Sequence, residues 1–184
     1  HGLRWVTPPL MLAHPLDDGT AATVAKSVDE TAAQMGADSA AYRRLLGGVV
    51  DAWPQLAPAI LGPLRIPSHP FALARFGLSA IQPAAQLARR RFSTPGARAL
   101  FAGIAAHGMV PLDQRPTAAF GLVLGAAAHV AGWVFPRGGA QSLTDALASY
   151  FRSLGGEIVT GQRVASIDDL PAARAVLCDL SPRP

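Results

Sequence analysis

The sequence predicts a mixed α/β chain that is mainly helical. Three observations carry that prediction. The first 26 residues are broken by prolines and a turn signal into short extended runs. Between Ser27 and Leu154, apolar residues recur at helical spacing between capping signals. After Gly155 the chain returns to short runs rich in Val and Ile.

Pro8 and Pro9 exclude a helix at the entry. Asp17-Asp18-Gly19 marks a turn after LMLAHPL, and therefore a hairpin. Ser27 with Glu30 spells a capping box for a short helix that Gly36 ends. Asp38 is a good N-cap for the next helix, whose apolar side holds Tyr42, Leu45, Leu46, Val49 and Val50. Pro54 and Pro58 break or kink its far end, which leaves short helical turns and loop over 52–69. Residues 70–92 read as one amphipathic helix kinked at Pro83, with Phe71, Leu73, Phe76, Leu78 and Ile81 apolar. Arg89-Arg90-Arg91 sits in its last turn, where cations complement the helix dipole. Thr94-Pro95 is an N-cap followed by proline at the first helical position, and that helix ends near His107-Gly108.

Residues 117–131 form the most apolar helix. No residue from Ala118 to Phe135 carries a fixed charge, which borders on the length of a membrane span. Gly121 and Gly125 have the spacing of closely approaching helices. His129 and the content of Gly and Ala favour a central buried helix. Ser142 then starts a helix with Leu143, Leu147, Tyr150, Phe151 and Leu154 apolar, closed by Gly155-Gly156. Residues 157–160 and 163–167 read as strands joined by Gly161-Gln162. Residues 175–180 read as a third strand, apolar on both faces and so buried, ended by Pro182 and Pro184.

Composition narrows the function classes. Hydrophobic residues are 50% and charged residues 15%, so much of the surface is built to be covered. The net charge of +4 comes from dispersed arginines without aromatic interleaving or a recognition helix, and nucleic acid is not expected as a partner. The arginine triplet reads as a solvated helix end, with contact to a membrane surface as the other reading. A single cysteine excludes an internal disulfide and fits a reducing, cytoplasmic setting. Cys178, within AVLC, reads as a buried small hydrophobe. No histidine has zinc-ligand spacing, and no metal is expected. The chain has no HExxH, GxSxG or P-loop pattern. Asp17-Asp18 and Asp168-Asp169 sit at turns and bond nearby backbone. The dinucleotide fingerprint is absent, because Gly47-Gly48 lies inside a helix and Gly138-Gly139 follows no buried strand. The loop Pro136-Arg137-Gly138-Gly139 can bring backbone amides against a ligand or another segment, or serve as a plain turn between helices.

Together with the helix and short runs after it, this loop resembles the phytoene desaturase-like branch of the flavin-containing amine oxidase superfamily. The matching residues are Gly132-Trp133-Val134-Phe135-Pro136-Arg137-Gly138-Gly139, then Gly155-Gly156-Glu157-Ile158, then Arg163-Val164-Ala165-Ser166-Ile167, then AVLCDLSP. The entry block HPLDDG is also similar to that family's substrate-domain entry. The resemblance implies FAD on a Rossmann-type domain whose fingerprint lies upstream of His1, and a flavin-contacting segment downstream of Pro184. Residues 1–131 would be the substrate-domain part. Residues 132–184 would be the return segment, with strands belonging to the incomplete FAD-binding domain. It implies a main-chain contact of Val164 with the adenine end of FAD, and places Gly138 and Gly139 near the flavin. The parent would remove hydride from an apolar, isoprenoid- or lipid-like substrate. No catalytic acid or base is nominated. Helix 117–131 would line the cavity or simply pack the core. The competing reading is a non-catalytic helical module that binds a partner chain or membrane surface. Cytoplasmic location, peripheral membrane contact and self-association of the chain complete the expectations.

Overall fold

The computed structural model describes residues 1–181. Pro182 and Pro184, the expected end of the last strand, lie outside the described residues. The chain divides into two units. One is Arg4–Gly139; the other joins His1–Leu3 to the residues from Ala140 onward.

The larger unit opens with β1 (Trp5–Val6), β2 (Leu10–Pro15) and β3 (Ala21–Ala25). β2 and β3 form the expected antiparallel hairpin, with Leu12 opposite Val24 and His14 opposite Ala22. Asp18 closes its turn by accepting hydrogen bonds from the Thr20 backbone and hydroxyl at 2.9 and 2.6 Å. Helix α1 (Val28–Ala33) starts at Ser27, whose hydroxyl accepts from the Asp29 and Glu30 amides. Thr31, fully buried, ties α1 to β3: its hydroxyl accepts from the Ala25 amide at 2.9 Å and donates to the Ser27 carbonyl at 3.1 Å.

Residues 39–51 run as α2 (Ser39–Tyr42), a π-helical turn (Arg43–Gly47) and α3 (Gly48–Asp51). Asp38 makes no cap hydrogen bond here, contrary to expectation. Its carboxylate turns instead to Ser93 and Thr94, accepting from both amides and both hydroxyls at 2.6–2.8 Å. Residues 52–69 are, as expected, a short helical stretch followed by loop, and Pro54 and Pro58 do not interrupt the helix. Both prolines lie within α4 (Trp53–Ile60), with Pro54 in the first turn, where a missing N–H costs nothing.

The expected helix 70–92 is two helices, α5 (Pro70–Ala80) and α6 (Ala84–Arg91). Pro83 disfavours helical backbone at the residue before it, and takes the N-cap position of α6 with extended dihedrals. Helix α7 (Pro95–Ala105) begins as expected, with the Thr94 hydroxyl accepting from the Ala97 amide. Helix α8 (Ala118–Val130) is the centre of this unit and packs against α3, α5, α6 and α7. Thr117, fully buried, joins its start to α6 by accepting from the Ala84 amide at 2.8 Å. A Cβ at Gly121 would lie 2.8 Å from the Phe101 ring, and one at Gly125 would lie 2.8 Å from Leu46. The two glycines therefore serve close packing in a buried core that includes Leu46, Leu56, Leu87, Leu100, Ile104 and Leu122. Among the described residues no helix is long and apolar enough to cross a membrane.

After α8, β4 (Phe135–Pro136) pairs antiparallel with β1, Trp5 opposite Pro136 and Val6 opposite Phe135. The second unit is built on α9 (Ala140–Ser153), which Gly155 closes with φ +86°. The strands expected at 157–160, 163–167 and 175–180 do not form. These stretches carry no ladder, and Val159, Val164, Leu177 and Leu180 are exposed. An alternating apolar run becomes a strand only against a neighbour that satisfies its backbone groups. Cys178 is exposed rather than buried, for the same reason. One local structure survives there: Ser166 and Asp169 form a capping box around the turn Ile167–Asp169.

Candidate functional site

The glycine block is held by two sets of contacts within the larger unit. At its start, Lys26 and His129 stitch the chain after β3 to the end of α8. The Lys26 ammonium donates to the Val130 carbonyl at 2.9 Å, and His129 Nδ1 lies 3.0 Å from the Lys26 carbonyl. A carbonyl only accepts, so Nδ1 carries the proton, and Nε2 accepts from the Tyr42 hydroxyl at 2.8 Å. Both rings are buried. Burial lowers the pKa of His129, helped by the Lys26 charge and only partly offset by backbone hydrogen bonds, so the ring is neutral. Burial raises the pKa of the Tyr42 hydroxyl, which stays protonated. Directly afterwards the Trp133 amide points at Met11 Sδ, 3.3 Å away, and the Trp133 indole meets His107 edge-on at 5.7 Å.

At its end the block is pinned by β1. The Arg137 amide donates to the Arg4 carbonyl at 2.8 Å, and the Gly139 amide donates to the Pro136 carbonyl at 3.0 Å. Gly138 and Gly139 have φ of +92° and +87°. Consecutive left-handed residues exclude side chains on energetic grounds, and a Cβ at Gly139 would meet nothing within 4 Å. What these glycines supply is a backbone turn with a bare outer surface.

A cleft of about 800 Å³ lies elsewhere in the same unit. Leu45, Val49, Leu56 and Leu122 give it an apolar floor, and Arg43, Arg44, Arg75 and Arg91 stand at its rim with Asp51. Sequence reading missed it, since its arginines come from three separate helical segments. The one legible sign was the triplet 89–91, read there as a solvated helix end. A second groove, about 460 Å³, is lined by Leu73, Phe76, Leu78, Ile81, Pro116 and Ala119 and has no charged side chain.

Val164 belongs to the other unit, on exposed chain with no paired strand. The residues present do not by themselves fit an FAD. β4, Gly138-Gly139 and α9 follow one another as strand, glycine turn and helix, but the strand is two residues long in an antiparallel pair and the GxGxxG spacing of a pyrophosphate cradle is absent, while Gly47-Gly48 lies within helical structure. Nor, among the described residues, do three His, Cys, Asp or Glu side chains gather to hold a metal ion.

The family model of flavin containing amine oxidoreductases matches residues 39–180. No curated protein matches the chain. The family match agrees with FAD as the cofactor, and it spans the arginine-rimmed cleft, the apolar groove and the glycine block together. On that match the chain belongs to the flavin-containing amine oxidoreductase family, a family of flavin-dependent oxidoreductases.

Proposed function

We propose that the chain is the central part of an FAD-dependent oxidoreductase of the phytoene desaturase-like branch, one that removes hydride from an apolar substrate. The observation that carries this reading is the block Gly132–Gly139, with two consecutive glycines in left-handed backbone one residue beyond a strand pinned by β1. Gly138 and Gly139 are proposed to lie near the flavin, where bare backbone lets a ring system approach. Val164 is proposed to meet the adenine end of FAD through its main chain, once a neighbouring strand orders residues 163–167. The uncharged groove beside α5 supports an apolar ligand. A bound flavin would supply the hydride acceptor, and the protein the binding and orientation.

On this reading residues 1–131 belong to the substrate region and 132–184 return toward the FAD domain. The pyrophosphate cradle must then come from sequence outside these 184 residues. The test is the visible absorption spectrum of the protein purified with its complete flanking sequence. A flavin band is expected there, and a colourless, fully folded preparation would sink the reading. The 184-residue chain alone is expected to retain no FAD. Stoichiometric FAD on it would contradict the proposed division of the site.

A further inference from the structure

We propose that the surface formed by loop 61–69, α5 and the end of α6 docks onto an anionic lipid bilayer. Large apolar side chains stand out into solvent there. Leu64, Ile66 and Phe71 are 103%, 92% and 91% exposed, and Leu61 and Leu78 are exposed beside them. Leu64 and Ile66 ride on Pro63-Leu64-Arg65-Ile66-Pro67, where two prolines stiffen the loop. Side chains that protrude from a loop fit a fluid apolar phase better than a pocket, because a bilayer closes around them.

Charge identifies the kind of surface. From residue 52 to residue 112 the chain has six arginines and neither Asp nor Glu. Arg98 is tied to the Phe92 carbonyl. The other five, Arg65, Arg75, Arg89, Arg90 and Arg91, are exposed. Phe71 and Leu78 line one cleft with Arg75, Arg91, Arg43 and Arg44, so apolar and cationic side chains share a continuous surface. Asp51 is the one acid on that lining, and Arg43 is paired with Asp29 at 2.6 Å. Protruding apolar groups ringed by guanidinium groups are what lipid phosphates and acyl chains jointly recognise. An apolar protein partner would account for the leucines but not for an acid-free stretch.

The test is vesicle co-sedimentation of the protein, with phosphatidylcholine alone and with phosphatidylglycerol added. Binding is expected on the mixed vesicles and is expected to weaken with salt. The combined variant Leu64→Ser, Ile66→Ser, Phe71→Ser should lose at least about tenfold in affinity. Arg65→Gln and Arg75→Gln should each lose about fivefold, on mixed vesicles only. All these side chains are exposed, so circular dichroism should stay unchanged. Three results would overturn the proposal: no sedimentation with phosphatidylglycerol vesicles, variants that bind like the parent, or a dimer in light scattering that the Ser variant abolishes. Sedimentation needs no flavin, so its failure and the failure of the flavin reading are told apart by the absorption spectrum.

Discussion

Asp38 accepts four hydrogen bonds in a nearly fully buried position and fixes the turn from which α7 starts. Burial alone would raise its pKa, but bonds from the hydroxyls and amides of Thr94 and Ser93 outweigh it and hold the value at about 2. The folded value lies below the ordinary 3.8, so its stabilisation is complete above that pH and is lost as pH falls through about 2. Asp38→Ala should cost about 3 kcal/mol in urea denaturation, because four donors lose one acceptor. Sequence alone assigned Asp38 to the nearest helix start. Its true partners stand 55 and 56 residues away, beyond any local signal. His129 has the same proton balance, although the form that folding favours is neutral rather than charged. Its lowered pKa means that the unfolded chain binds the proton first, so stability should fall as pH drops below the ordinary histidine value near 6.5. His129→Asn should flatten that slope when urea midpoints are compared between about pH 7 and about pH 5.

Helix boundaries set by local chemistry were legible. Ser27, Thr94-Pro95 and the apolar run of α8 each stand where the sequence puts them. Pro83 was legible as a break but underestimated, since a kink and a new helix share the same signal. The strands after Gly155 were not decided locally, because pairing depends on a partner and not on alternation. The glycines of the helices separate in the same way. Gly121→Ala should destabilise by about 1–2 kcal/mol, since the new methyl must displace the buried Phe101 ring. Gly77→Ala, where a Cβ meets nothing within 4 Å, should instead stabilise α5 by about 0.5–1 kcal/mol in thermal unfolding.

Among the described residues, loop 61–69 and the residues after α9 are both largely exposed and carry no strand pairing. Arg163 and Arg174 lie on exposed, irregular backbone, and trypsin should cut there before it cuts within α7 or α8. If residues 157–180 gain strand neighbours in the complete protein, cleavage at both sites should slow there. The isolated chain should self-associate through these unpaired stretches, and a strictly monomeric mass in light scattering at high concentration would count against it. The glycine block was legible as a motif, while its support by Lys26, through Val130 and His129, and by β1 was not, because Lys26 and β1 are more than 100 residues away in sequence. The small β1–β4 pairing has one more consequence. It brings residues 5–6 beside residues 135–136, so the segment Arg4–Gly139 enters and leaves through a single doorway. A segment whose ends meet can be carried as a cassette within a host fold without prying the host apart. Lengths and sequences inside it are then free to diverge while the doorway stays fixed.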